Sequence, residues 1–129
     1  MKGETVNRYL PLIITGVLLN AGAQVFIKNG MLQIGYFSFK IQNVIPVGFK
    51  VAANISILSG VACYVVSLIV WLMVLSRVEV SYAYPLLSIG YIVAAFAGKL
   101  IFGETIDLIR WAGILIICIG VYLITKSAS

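Results

Sequence analysis

Four stretches without a single charged side chain dictate what this chain can become. Residues 9–27, 55–76, 80–98 and 111–125 run uncharged for 19, 22, 19 and 15 residues. A helix rises 1.5 Å per residue, so about 20 apolar residues cross a hydrocarbon core of about 30 Å. The first three stretches qualify on length alone. The fourth is shorter; Arg110 and Lys126 extend it by snorkelling, with Trp111 and Tyr122 at the interfaces. The expected fold is all-α: a single four-transmembrane-helix bundle over residues 1–129, with spans at about 9–28, 53–76, 80–102 and 107–125. Composition agrees, because 62% hydrophobic residues and a mean hydropathy of +1.11 exceed what a water-soluble fold of 129 residues can bury.

The first block is too long for a signal-peptide core and no small-residue cleavage site follows it, so it is expected to stay as a helix. Cys63 and Cys118 both fall inside spans and read as small apolar core residues. The nine basic residues stand singly near helix ends, which fits anionic lipid headgroups rather than nucleic acid. Lys2, Arg8, Arg77 and Lys126 lie on the side of the termini and Lys28, Lys40, Lys50, Lys99 and Arg110 on the other, a balance that sets no orientation. Residues 29–52 read as one long loop with Gly30, Gly35, Pro46 and Gly48 as breakers. Its Met, Leu, Ile, Tyr and Phe side chains place it in the interface, either as a greasy surface segment or as a lip that guides a lipid tail.

Polar residues inside spans are where function is sought, because amides and ammonium groups are costly in hydrocarbon unless they find partners or line a wet cavity. Asn20, Gln24 and Lys28 recur at intervals of four and share one helix face. They line a polar path, or Asn20 and Gln24 bond across helices while Lys28 snorkels to the surface. In the third span Ser81, Tyr84, Ser88 and Tyr91 repeat the pattern, with Pro85 near the helix start, where its missing amide is expected to be harmless. Gly90, Ala94 and Gly98 form a small-residue ridge that lets another helix approach. No histidine is present, and the carboxylates Glu4, Glu79, Glu104 and Asp107 all lie at helix ends or outside the spans. Nothing in the sequence forms a metal site, a nucleophile triad or a phosphate loop, so neither an enzyme nor a cofactor is expected.

Several of these residues carry a family resemblance that covers nearly the whole chain. Gly113 to Gly120 and Val121, with apolar residues between, resembles the glycine-bounded pairing motif of the last helix in the small multidrug resistance (EmrE-like) transporters. The run Ala83, Tyr84, Pro85, Leu86, Leu87, Ser88, the pair Gly103 and Glu104, and the segment from Arg110 to Gly113 are still more similar to a sister branch of the drug/metabolite transporter superfamily. That branch contains the ArnE and ArnF flippase subunits, which move undecaprenyl phosphate-linked aminoarabinose across the bacterial inner membrane. The two branches part at the first helix: the multidrug pumps carry a membrane-embedded glutamate where Asn20 stands here. An amide cannot exchange a proton for a cation, so the resemblance implies a flippase rather than a drug–proton exporter.

The resemblance further implies a homodimer, or a heterodimer with a similar small subunit, in which Gly90, Ala94, Gly98, Gly113 and Gly120 pack helices. A multidrug-type exporter and a non-transporting accessory subunit remain as alternatives. For a flippase, Asn20, Gln24, Tyr84, Ser88 and Tyr91 would line a headgroup cleft. Lys28 would meet the phosphate, with Lys99 and Arg77 as further cations. Glu104 is expected to face the free amides at the start of the last helix, the other role being contact with an aminosugar's ammonium.

Overall fold

A computed structural model describes the backbone of residues 2–127 and the side chains from residue 7 onward. Six helices follow in order: α1 (Lys2–Ile34), α2 (Ile41–Ala53), α3 (Ile55–Leu75), α4 (Val80–Leu86), α5 (Ser88–Phe102) and α6 (Leu108–Ser127). Among the described residues there is no strand. Four segments are long and apolar enough to cross a membrane: Asn7–Ile34, Ile55–Leu75, Val80–Phe102 and Leu108–Ser127. Lys2 and Glu4 lie in α1, but their side chains fall outside the described ones.

The α1–α3 pair is the backbone of the bundle. In lipid, apolar burial between helices gives no net drive, so close van der Waals fit and interhelical hydrogen bonds must hold a pair together. Both are present along a seam of mostly small residues at intervals of seven: Gly16, Ala23 and Gly30 on α1, and Gly60, Ser67 and Val74 on α3, all buried. A Cβ on Gly60 would lie 2.9 Å from the Ala23 carbonyl oxygen, and one on Gly30 would lie 2.8 Å from the Asn54 side chain. The Ser67 hydroxyl donates to the Gly16 carbonyl at 2.9 Å and the Ser56 hydroxyl to the Phe26 carbonyl at 2.8 Å. Asn29 donates to Ser56 at 3.1 Å, and Asn54 caps α3 by accepting from the Ile57 amide at 3.1 Å. At the other end of the seam Ile13, Val17, Val74, Val78, Tyr82, Ala83 and Leu86 close the buried core.

Two local expectations are corrected. The loop assigned to residues 29–52 is mostly helix, because α1 runs on to Ile34 and α2 begins at Ile41. Of the supposed breakers only Gly35 acts, with φ +84 just past the end of α1; Gly30 serves close packing against Ile57 and Asn54 instead. The third span is also not one helix. Pro85 is the sixth residue of α4, past the first turn, so its missing N–H removes a real intrahelical bond. The helix breaks at Leu87, whose amide turns back to the Tyr84 carbonyl at 3.0 Å.

Candidate functional site

The first helix presents Val17, Ala21, Gln24 and Lys28 along one face, at spacings of four, three and four. Val17 meets α5 at Gly90, where a Cβ would come within 3.3 Å of the Val17 carbonyl oxygen. That close approach accounts for one glycine of the small-residue ridge, and its partner is α1 of the same chain. Eleven residues further along α1, Lys28 reaches the far end of α5. Its Nζ lies 3.6 Å from Glu104 Oε1, with side-chain exposures of 50% and 46%.

The placement of Glu104 is built residue by residue. Gly103 ends α5 in the left-handed conformation, φ 68, which a side chain would strain. The turn brings the Glu104 amide back to the Gly98 carbonyl at 3.2 Å, the same carbonyl that receives the Gly103 amide. The carboxylate then folds over Gly98, with Oε2 only 2.6 Å from where a Cβ on that glycine would stand. Gly98 therefore makes room for a carboxylate rather than for a helix.

This corrects the capping role expected of Glu104. Residues 103–107 are non-helical, so Glu104 stands too far ahead of α6 to reach its amides. Asp107 takes that place, its Oδ1 accepting from the Arg110 amide at 2.8 Å. The Arg110 guanidinium in turn donates to the Thr105 carbonyl at 3.1 Å and ties down the same turn. Nothing local in the sequence marks the Lys28–Glu104 pair, whose members stand far apart in the chain.

The other expected site residues are distributed along the same two elements and the start of the third span. Asn20 is half-buried and Gln24 exposed, and among the described residues neither side chain makes a hydrogen bond. The polar side chains of the α1–α3 seam, by contrast, are all engaged. The reading in which Asn20 and Gln24 bond across helices is thus not met among the described residues. Tyr84 and Tyr91 are exposed and Ser88 half-buried; Tyr84 packs edge-on against Trp71 with ring centroids 5.5 Å apart. Among the described residues no hydrogen bond or ring contact joins these three to Asn20 or Gln24. Lys99 lies over the Trp111 ring at 5.2 Å, a cation–π contact that fixes it beside the start of α6. Arg77 is exposed in the turn between α3 and α4.

Two of the exposed surfaces stand out among the described residues. No described residue of α6 is buried, and a Cβ on Gly113 or Gly120 would meet nothing within 4 Å. At the opposite edge, Phe37, Phe39, Ile41, Val44, Val47 and Val51 line an apolar groove of about 510 Å³ beside α2, with Lys40 at its margin.

The profile of the EamA-like transporter family matches residues 5–126. The probable 4-amino-4-deoxy-L-arabinose-phosphoundecaprenol flippase subunit ArnF of Photorhabdus laumondii is 32% identical over 88% of this chain and 93% of its own length. The probable ArnE subunit of the same flippase type from Pseudomonas syringae is 36% identical over 60% of this chain and 71% of its own. That from Pectobacterium atrosepticum is 41% identical over 45% and 51%. No solved structure matches the chain.

Proposed function

This chain belongs to the EamA-like transporter family, and on that premise we propose that it is one subunit of a flippase for an undecaprenyl phosphate-linked amino sugar. The relatives' named substrate, 4-amino-4-deoxy-L-arabinose on phosphoundecaprenol, sets the class of cargo. The observation that carries the reading is the α1 face itself: two amides with no partner among the described residues, leading to a half-exposed lysine at the bundle's end. Amides suit sugar hydroxyls and an ammonium suits a lipid phosphate.

The headgroup moves along this face while the polyprenyl tail stays in lipid. Asn20 and Gln24 exchange hydrogen bonds with the sugar, and Tyr84, Ser88 and Tyr91 offer hydroxyls and ring faces from the neighbouring span. Lys28 meets the phosphate, and Lys99, steadied by Trp111, is the second cation at that end. The spans hold no carboxylate that binds protons and cationic drugs in turn, which weighs against a drug–proton exporter. A second small subunit completes the cleft by packing on α6 at Gly113 and Gly120. Location in a bacterial inner membrane follows from the same reading.

Native mass spectrometry of the purified protein tests it, with undecaprenyl phosphate offered against excess phosphatidylglycerol. Selective retention of undecaprenyl phosphate that falls in Lys28→Ala is expected. Equal retention of both lipids would overturn the assignment.

A further inference from the structure

A half-exposed lysine–carboxylate pair contributes little as a staple, since solvent screens it and two long side chains must be held still. The Lys28–Glu104 pair nevertheless sits in a made place: Gly103 supplies the left-handed turn, the Glu104 amide is tied to Gly98, and the carboxylate occupies space that only a glycine at 98 leaves open. What such a pair offers at 3.6 Å is a positive and a negative group side by side, both reachable from outside. A phosphate-linked amino sugar carries the reverse arrangement, an anionic phosphodiester and a cationic amine on one small headgroup.

We propose that Lys28 and Glu104 form a charge-reading pair that opens on a zwitterionic headgroup, Lys28 passing to the phosphate and Glu104 to the ammonium. The inference rests on the flippase reading above and adds the group that selects among prenyl phosphates. One internal ion pair is exchanged for two with the ligand, so a lipid bearing both charges leaves neither side chain unmatched. A neutral sugar on the same lipid phosphate draws Lys28 away and strands Glu104 beside another anion. Selectivity for the amine then comes from repulsion of the wrong cargo as much as from attraction of the right one.

The experiment measures binding by native mass spectrometry with three lipids: undecaprenyl phosphate, its aminoarabinose-bearing form and a form bearing neutral glucose, against phosphatidylglycerol. A charged hydrogen bond made to one ligand and not the other corresponds to a preference of about tenfold for the amino sugar lipid. Glu104→Gln should abolish that preference while undecaprenyl phosphate is still retained. Lys28→Gln should weaken all three lipids together. The exchange Lys28→Glu with Glu104→Lys separates recognition from stapling, because a mere staple works in either direction. The swapped protein should match the wild type in thermal stability without regaining the preference for the amine.

An undiminished preference in Glu104→Gln, or its full return in the swapped protein, would overturn the proposal and leave the flippase reading standing. Should Glu104→Gln not fold, Glu104→Asp keeps the charge but withdraws it by one methylene. A reduced preference there supports the pair, and an unchanged one overturns it. If wild-type protein retains no prenyl phosphate over phosphatidylglycerol, the flippase reading fails and this inference with it.

Discussion

Replacing Gly60 by alanine should loosen the whole bundle, although alanine is the better helix former. In an exposed helix interior the exchange favours the helix by up to about 1 kcal/mol. At position 60 the added carbon meets Ile27 Cγ1 at 2.8 Å, the Ala23 carbonyl oxygen at 2.9 Å and the Ile27 amide nitrogen at 3.1 Å. Only the first can rotate away; the other two belong to the backbone of α1, so the helices themselves must part. Overpacking of that kind costs about 1–3 kcal/mol, leaving a net loss of up to about 2 kcal/mol once the full propensity gain is subtracted. Gly22→Ala is the matched control, because it lies in α1 with nothing within 4 Å of its Cβ. Unfolding in mixed micelles by added sodium dodecyl sulfate, followed through Trp71 and Trp111 fluorescence, gives both values. If Gly60→Ala proves as stable as Gly22→Ala, the α1–α3 seam is not the close contact described.

Gly103→Ala places a side chain at φ 68 and should cost about 1–2 kcal/mol in the same titration; it should also lower the aminoarabinose preference, since the turn it strains is the one that aims Glu104. Asp107→Ala removes the cap of α6 and should cost about 1 kcal/mol while leaving lipid selectivity unchanged. Gly113→Leu and Gly120→Leu fill open space on α6, so the isolated chain should stay as stable as before; disulfide or chemical cross-linking should report loss of its pairing with a second subunit.

The membrane class and three of the spans are legible from uncharged length alone, and the fourth from its flanking Arg110, Trp111, Tyr122 and Lys126. The site was legible only in part. Spacings of four put Asn20, Gln24 and Lys28 on one face, a matter of helix geometry that needs no tertiary knowledge. Glu104 is not legible because proximity to α6 along the chain is not proximity in space; the left-handed turn at Gly103 sends its carboxylate back onto α5. Glycines were the other difficulty. Gly30 reads as a breaker in water-soluble terms, yet in a bundle without hydrophobic drive a buried glycine is a contact point, and Gly35 is the one that ends the helix. The interval of seven in Gly16, Ala23 and Gly30, answered by Gly60, Ser67 and Val74, was present in the sequence and is the signal that would have found the α1–α3 seam.

The proposed site and the proposed pairing demand one another. Gln24 lies well inside the first span, is exposed, and makes no hydrogen bond among the described residues. An unpaired amide facing acyl chains costs several kcal/mol, more than a chain held by one tight helix pair can readily offset. The amide must therefore face water, a headgroup or another protein surface. One chain of four spans does not wall off such a space, since α6 hangs on the bundle without a single buried residue. A second subunit seated against α6 would close the bundle and give the α1 face an inside. On this argument a variant that keeps the pair together but replaces Asn20 and Gln24 with leucine should gain stability and lose transport. Unimpaired transport in reconstituted vesicles, measured by the protection of flipped amine lipid from an impermeant amine reagent, would show that the cargo takes another path.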